Sequence, residues 1–60
     1  MKSSEFHRII QRSKKWKYLE AEGSHYIYMN IEGKRYAVPF HGSKEIAEPL
    51  RKKIAKDMGV

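Results

Sequence analysis

The sequence predicts an α+β fold in the order helix, three antiparallel strands, helix, with both helices packed on one face of the sheet. Three observations carry this reading. Apolar residues recur at helical spacing at the two ends of the chain: Phe6, Ile9 and Ile10, with Ser13 on the same stripe, and later Leu50, Ile54 and Met58. The stretch between them is rich in aromatic and branched residues that suit a pleated, half-buried surface. Gly23 and Gly33 cut that stretch into three pieces of strand length.

Ser3 or Ser4 is expected to cap the first helix, and Glu5 places a negative charge in its opening turn, where the helix dipole favours it. Arg8 and Arg12 fall on the solvent side. His7, on the flank, is expected to be incidental. Ser13-Lys14-Lys15 ends the helix, and Trp16 to Glu22 forms the first strand. Gly23 makes a turn, and His25 to about Ile31 forms the second strand. Glu32-Gly33 is a short hairpin connection in which glycine supplies positive φ. Lys34 to Pro39 forms the third strand, whose final proline fits a strand end or a sheet edge. A polar connection from Phe40 to Glu45 leads to a second helix beginning near Glu48-Pro49, because proline is tolerated in a first turn and breaks an interior. Leu50, Ile54 and Met58 form its buried stripe, Lys52, Lys53 and Lys56 project oppositely, and Gly59 stops it.

A chain of 60 residues is read as one domain. A domain of that size buries only about 60% of the surface it exposes when unfolded, so its core is thin. With no cysteine, neither disulfides nor a thiolate zinc site can supplement that core. No apolar run reaches the roughly 20 residues needed to cross a bilayer, and the start lacks the apolar segment of a signal peptide, so a soluble cytoplasmic protein is expected. Thirteen Lys and Arg against seven Asp and Glu leave a charge of +6, an attractive field for a polyanion such as nucleic acid or for an acidic protein.

Several motifs keep a common order along the chain: Lys-Ser-Ser-Glu at residues 2–5, a strand led by Trp16, Gly23-Ser24-His25, Val38-Pro39-Phe40-His41, and a helix opening Glu48-Pro49-Leu50-Arg51 that ends in glycine. In these the chain resembles the HicA family of bacterial toxins, over essentially its whole length. The resemblance implies a double-stranded-RNA-binding-domain-like fold and a ribosome-independent mRNA interferase, the toxin of a type II toxin–antitoxin pair. It further implies a HicB-type antitoxin that covers the active site, and it assigns the functional histidine to His25. The toxin alone is expected to be monomeric.

The chemistry agrees with that assignment. RNA can be cut without a metal because its 2′-hydroxyl is a built-in nucleophile. Cleavage then needs a base for that proton, an acid for the leaving 5′-oxygen, and positive charge near the phosphoryl oxygens. Histidine exchanges protons near neutral pH, which suits His25 as general base. Ser24 is a turn residue that orients His25. His41 has two readings, as a second proton carrier or as a histidine that fixes its own loop. Arg51 or Lys34 is the candidate phosphoryl-stabilising cation. No close pair of histidines suggests a metal site, and no cofactor is expected. Candidate RNA contacts are Lys14, Lys15, Lys17, Lys34, Arg35, Lys52, Lys53 and Lys56, with Tyr26 and Tyr28 either stacking bases or filling the core. Two other classes remain open: a non-catalytic RNA-binding module, for which fold and charge suffice, and a DNA-binding or protein-interaction domain.

Overall fold

The computed structural model describes residues 1–60. Its elements are α1 (Ser3–Arg12), β1 (Trp16–Glu22), β2 (His25–Asn30), β3 (Arg35–Pro39) and α2 (Glu48–Met58). The strands form one antiparallel sheet in the order β1-β2-β3. The expected helix–three strands–helix arrangement is present, with β2 ending one residue earlier and β3 starting one residue later than the sequence suggested.

Gly23 and Ser24 form a two-residue hairpin turn between β1 and β2, so Glu22 and His25 become register partners. Gly23 has φ +57° and Ser24 keeps negative φ, the pattern of a type II′ turn that demands glycine first. The β2–β3 turn is held differently. Asn30 Oδ1 accepts hydrogen bonds from the Glu32 amide at 3.1 Å and the Lys34 amide at 2.8 Å, an Asx turn that fixes the tip.

Strand alternation sorts the sheet into two faces. Trp16, Tyr28 and Val38 point toward the helices and pack with Phe6, Ile10, Ile46, Ile54 and Met58 into the core. Lys17, His25, Ile27, Met29, Arg35 and Ala37 occupy the opposite, uncovered face by register. A bulge between Tyr18 and Glu20 shifts the alternation of β1 by one residue, so that Glu20 and Glu22 join Ile27 and His25 on the uncovered face.

The helix faces differ from the sequence expectation. Neither Ser3 nor Ser4 caps α1: Lys2 is the N-cap and uses no side chain, and the loop after β3 supplies the missing acceptors. The Ser3 amide donates to Lys44 O at 2.8 Å and the Ser4 amide to Gly42 O at 2.9 Å. Ser3 is instead buried, its Oγ accepting the His41 amide at 3.1 Å. Ile9 is 41% exposed, and its place on the buried face is taken by His7. In α2, Leu50 is 42% exposed, and the buried residues of the helix are Ile54 and Met58. Ile46, in the connection, fills the vacated core space.

The helix ends dock firmly at the start of β1. Trp16 Nε1 donates to Met58 O at 2.8 Å, and Lys15 Nζ donates to Gly59 O at 2.9 Å, so two last-turn carbonyls of α2 are satisfied by side chains. Lys14, just beyond the end of α1, has φ +60°, the only non-glycine residue with positive φ. That conformation costs an L-residue about 1–2 kcal/mol. Lys14→Gly is therefore expected to stabilise the domain by about 1 kcal/mol after glycine's extra unfolded-state entropy. At this size that is a rise of about 4–8 °C in Tm by thermal melting.

Candidate active site

His25 opens β2 immediately after the type II′ turn, and its side chain is exposed on the uncovered face. Its register partners are Glu22 on one side and Pro39 on the other, and directly opposed residues in such ladders have Cα atoms about 4.5–5.5 Å apart. The ladder extends past Pro39, because the Phe40 amide donates to Ser24 O at 2.7 Å. Ser24 thus contributes a carbonyl that ties the turn to the end of β3. His41, two residues past Pro39, is brought to the same end of the sheet and is exposed. Its amide bonds Ser3 Oγ and its carbonyl accepts the Lys44 amide at 3.2 Å, so its backbone is fixed by α1 and by its own turn.

Beneath this end lies an aromatic cluster that sequence reasoning missed. His7 is almost fully buried, with Nε2 2.8 Å from Pro39 O and Nδ1 2.7 Å from the Tyr28 hydroxyl. A carbonyl only accepts, so Nε2 carries the proton and Nδ1 accepts from Tyr28. Gln11 Nε2 donates in turn to the Tyr28 oxygen at 3.3 Å. Burial lowers the His7 pKa, against the opposing bond to Pro39, and raises that of Tyr28. Phe40 stacks on Tyr26 with centroids 4.3 Å apart and meets the His7 ring edge-on at 5.1 Å. The strand partner of His25 is thereby held from behind by α1.

Of the two readings of Tyr26 and Tyr28, stacking bases or filling the core, Tyr28 takes the second. Tyr28 has no exposed surface, and the half-buried Tyr26 already lies against Phe40 on the helix side of the sheet. The candidate cations also separate. Lys34 lies beyond the other end of β2, five residue steps from His25, about 17 Å at ~3.3 Å per residue. Arg51 is on α2, behind the sheet, and its guanidinium grips Glu48 with bonds of 2.9 and 2.8 Å. That pairing raises the Arg51 pKa. The hydrogen bonds from Arg51 and then from the amino terminus hold the Glu48 carboxyl down at about 2. Neither cation is positioned beside His25. The charged neighbour that is positioned there is Glu22, on the same face across the turn.

Lys17 and Arg35 are brought together on the uncovered face, flanking Met29 in register. Lys14, Lys15, Lys34 and Lys56 converge on a groove at the far end of the sheet. Lys52 and Lys53 stay on the exposed side of α2, and Lys53 pairs with Asp57 at 3.3 Å. No three histidine, aspartate or glutamate side chains converge as a metal site. No helix is long and apolar enough to cross a membrane.

A basic chain whose three-stranded sheet has two helices on one face and an exposed histidine on the other is a double-stranded-RNA-binding-domain-like α+β protein. The chain belongs to the HicA toxin family: the model described as "HicA toxin of bacterial toxin-antitoxin" matches residues 3–60. It is 39% identical over 66 residues to "Probable mRNA interferase HicA 1" of Photorhabdus laumondii, covering 100% of both chains. It is 38% identical over 60 residues to "Probable mRNA interferase toxin HicA" of Escherichia coli (strain K12), covering 100% of this chain and 98% of that one. A Pseudomonas fluorescens protein named "Probable mRNA interferase HicA" is 38% identical over 60 residues. No solved structure gives a significant match.

Proposed function

We propose that this protein cleaves mRNA as the toxin of a type II toxin–antitoxin pair, with His25 as the general base. The observation that supports this reading most is the placement of His25: exposed, on a strand rather than a loose loop, with its partner strand anchored by a buried network. Proton transfer requires the base to be within hydrogen-bond reach of the ribose, and a histidine held on a strand end offers a fixed point for that approach. The base takes the 2′-hydroxyl proton, the oxygen forms a bond to phosphorus, and the 5′-oxygen leaves with a proton. His41 at the same end of the sheet is the candidate donor of that proton, and Ser24 is a positioning residue through its carbonyl. A HicB-type antitoxin would inhibit by covering the uncovered sheet face and His25 with it.

The test exploits the nucleophile. A single-stranded RNA incubated with the protein in EDTA is expected to be cut, and an otherwise identical strand with 2′-deoxyribose throughout is expected to stay intact. Products should carry a cyclic phosphate or the monoester derived from it. Binding without cleavage of the RNA would reject catalysis in favour of a non-catalytic RNA-binding module. Equal cutting of both strands would reject attack by the 2′-hydroxyl.

A further inference from the structure

The positive charge of this domain is not where its histidine is. The largest concavity, about 740 Å³, lies at the opposite end of the sheet, between the β2–β3 turn and the carboxy-terminal ends of both helices. Lys14, Lys15, Lys34 and Lys56 line it together with Trp16 and Tyr36, from three separate segments of chain. Two carboxylates share the groove, but Asp57 is already bonded by the Tyr36 hydroxyl at 2.9 Å and by Lys53, leaving Glu32 against four lysines. The rim is rigid: Asn30 pins the turn that carries Lys34, and the Gly59 carbonyl pins Lys15. Lys14 is held there at φ +60°, where glycine would cost less, so a cation is kept at the expense of backbone strain.

Between the groove and His25, the uncovered face carries one lateral row, Lys17, Met29 and Arg35, with a cation on each outer strand. Next along β2 comes Ile27, flanked by Glu20 and Ala37, and then His25. On the histidine side the register partner on β1 is the acidic Glu22, which repels a phosphate rather than holding it. Along the axis of β2, histidine, cationic row and groove follow one another, the groove lying past the strand's end and on the helix side, where Trp16, Tyr36 and Lys56 line it.

We propose that the lysine groove is a remote anchoring subsite for the backbone of a single-stranded RNA that runs along the open face of β2 from His25, past Lys17 and Arg35, and over the end of the sheet to Lys14, Lys34 and Lys56. This rests on the RNA-cleaving reading and adds to it a place and a length. The roughly 17 Å from His25 to the end of β2 corresponds to about five stacked nucleotides at ~3.4 Å each. The scissile phosphate and the anchoring phosphates are thus separated by at least about five nucleotides. Strands shorter than that reach one end only. Affinity is then supplied at one end and proton transfer at the other.

The measurement is binding of labelled single-stranded RNAs, from about four to about twelve nucleotides so as to bracket that span, to the His25→Ala protein by fluorescence anisotropy. Affinity is expected to rise steeply once the strand exceeds about six nucleotides and then to level off. The triple variant Lys14→Gln, Lys34→Gln, Lys56→Gln in the same background should abolish the rise and weaken long strands about tenfold or more. It should also flatten the log–log salt dependence by about 2, at ~0.7 per phosphate contact. A control triple of equal charge change on the helix side, Lys2→Gln, Arg8→Gln, Lys44→Gln, should leave the length step in place. A flat length series, or equal losses in the two triples, would overturn the subsite while leaving RNA cleavage standing. Undiminished RNA affinity in the groove triple alongside lost affinity for an acidic protein would overturn it in favour of protein docking. Absence of binding to RNA of any length would instead bring down the RNA reading itself, and the subsite with it.

Discussion

His25→Ala is expected to lower RNA cleavage by about 10²–10⁴-fold, the usual contribution of one positioned proton-transfer group. The fold should hardly notice, because the ring is exposed and contributes nothing to the core cluster. Exposed substitutions away from caps and networks commonly stay within about 0.5 kcal/mol, so the variant should melt close to the parent. Single-turnover cleavage of a labelled RNA, with circular dichroism melts of the same samples, separates the two quantities. His25→Gln sharpens the test. Glutamine can still hydrogen-bond a ribose but cannot take its proton at neutral pH, so its loss should match that of alanine if His25 is the base. A glutamine variant that keeps most activity would assign His25 a binding role. His41→Ala supplies the comparison at the same end of the sheet. A fall of similar size would make the two histidines base and acid, whereas near-full activity would leave the leaving oxygen to be protonated by His25 itself.

Much of this arrangement was legible in the sequence, for identifiable reasons. A Gly-Ser pair at the end of a β-prone run fixes a two-residue turn, and such a turn makes its flanking residues register partners. The position of His25 at the mouth of the second strand therefore followed from local sequence. The same rule would have found Glu22 opposite it. The helices followed from apolar spacing, but their exact faces did not. A stripe is about 100° wide, so Ile9 and His7 compete for one edge of it, and hydropathy favours Ile9. The structure prefers His7 because the carbonyl of Pro39 and the hydroxyl of Tyr28 converge behind it. Those partners lie 32 and 21 positions away, beyond any periodicity. Leu50 fails similarly: its spacing from Ile54 is helical, but it stays exposed while Ile46, in the connection before α2, lies in the core. The basic groove was visible only as separate clusters, since nothing in residues 14, 34 and 56 announces that three chain segments meet.

His7 carries the second large effect, on stability and its pH dependence. His7→Ala removes a buried ring and leaves the Tyr28 hydroxyl and the Pro39 carbonyl without their partner, each such orphan costing about 1–3 kcal/mol. A domain of this size has roughly 3–9 kcal/mol in total at ~0.05–0.15 kcal/mol per residue, so much of the margin should disappear. Chemical denaturation should show a loss of about 2–5 kcal/mol, with slow or absent folding as the extreme. The pH arm separates the hydrogen bonds from mere bulk. Burial lowers the His7 pKa below its ordinary value of 6.5, so below that value the unfolded chain binds a proton that the folded one resists. Stability is then full above about pH 6.5 and falls as the pH drops toward the lower folded-state pKa, because a charged ring would donate from both nitrogens and strip the Tyr28 hydroxyl proton of its acceptor. The carboxylates act in a separate window: Glu48 and Asp57, both held low by hydrogen bonds, lose their contributions only as the pH falls through the ordinary carboxylate range and below. Denaturation midpoints between about pH 6.5 and 5 should therefore slope downward in the parent. They should be flat in His7→Gln, whose amide can donate and accept but does not titrate. A parent curve that is level across that window, or a glutamine variant with the same slope, would show that the ring beneath the sheet is not held neutral by this network.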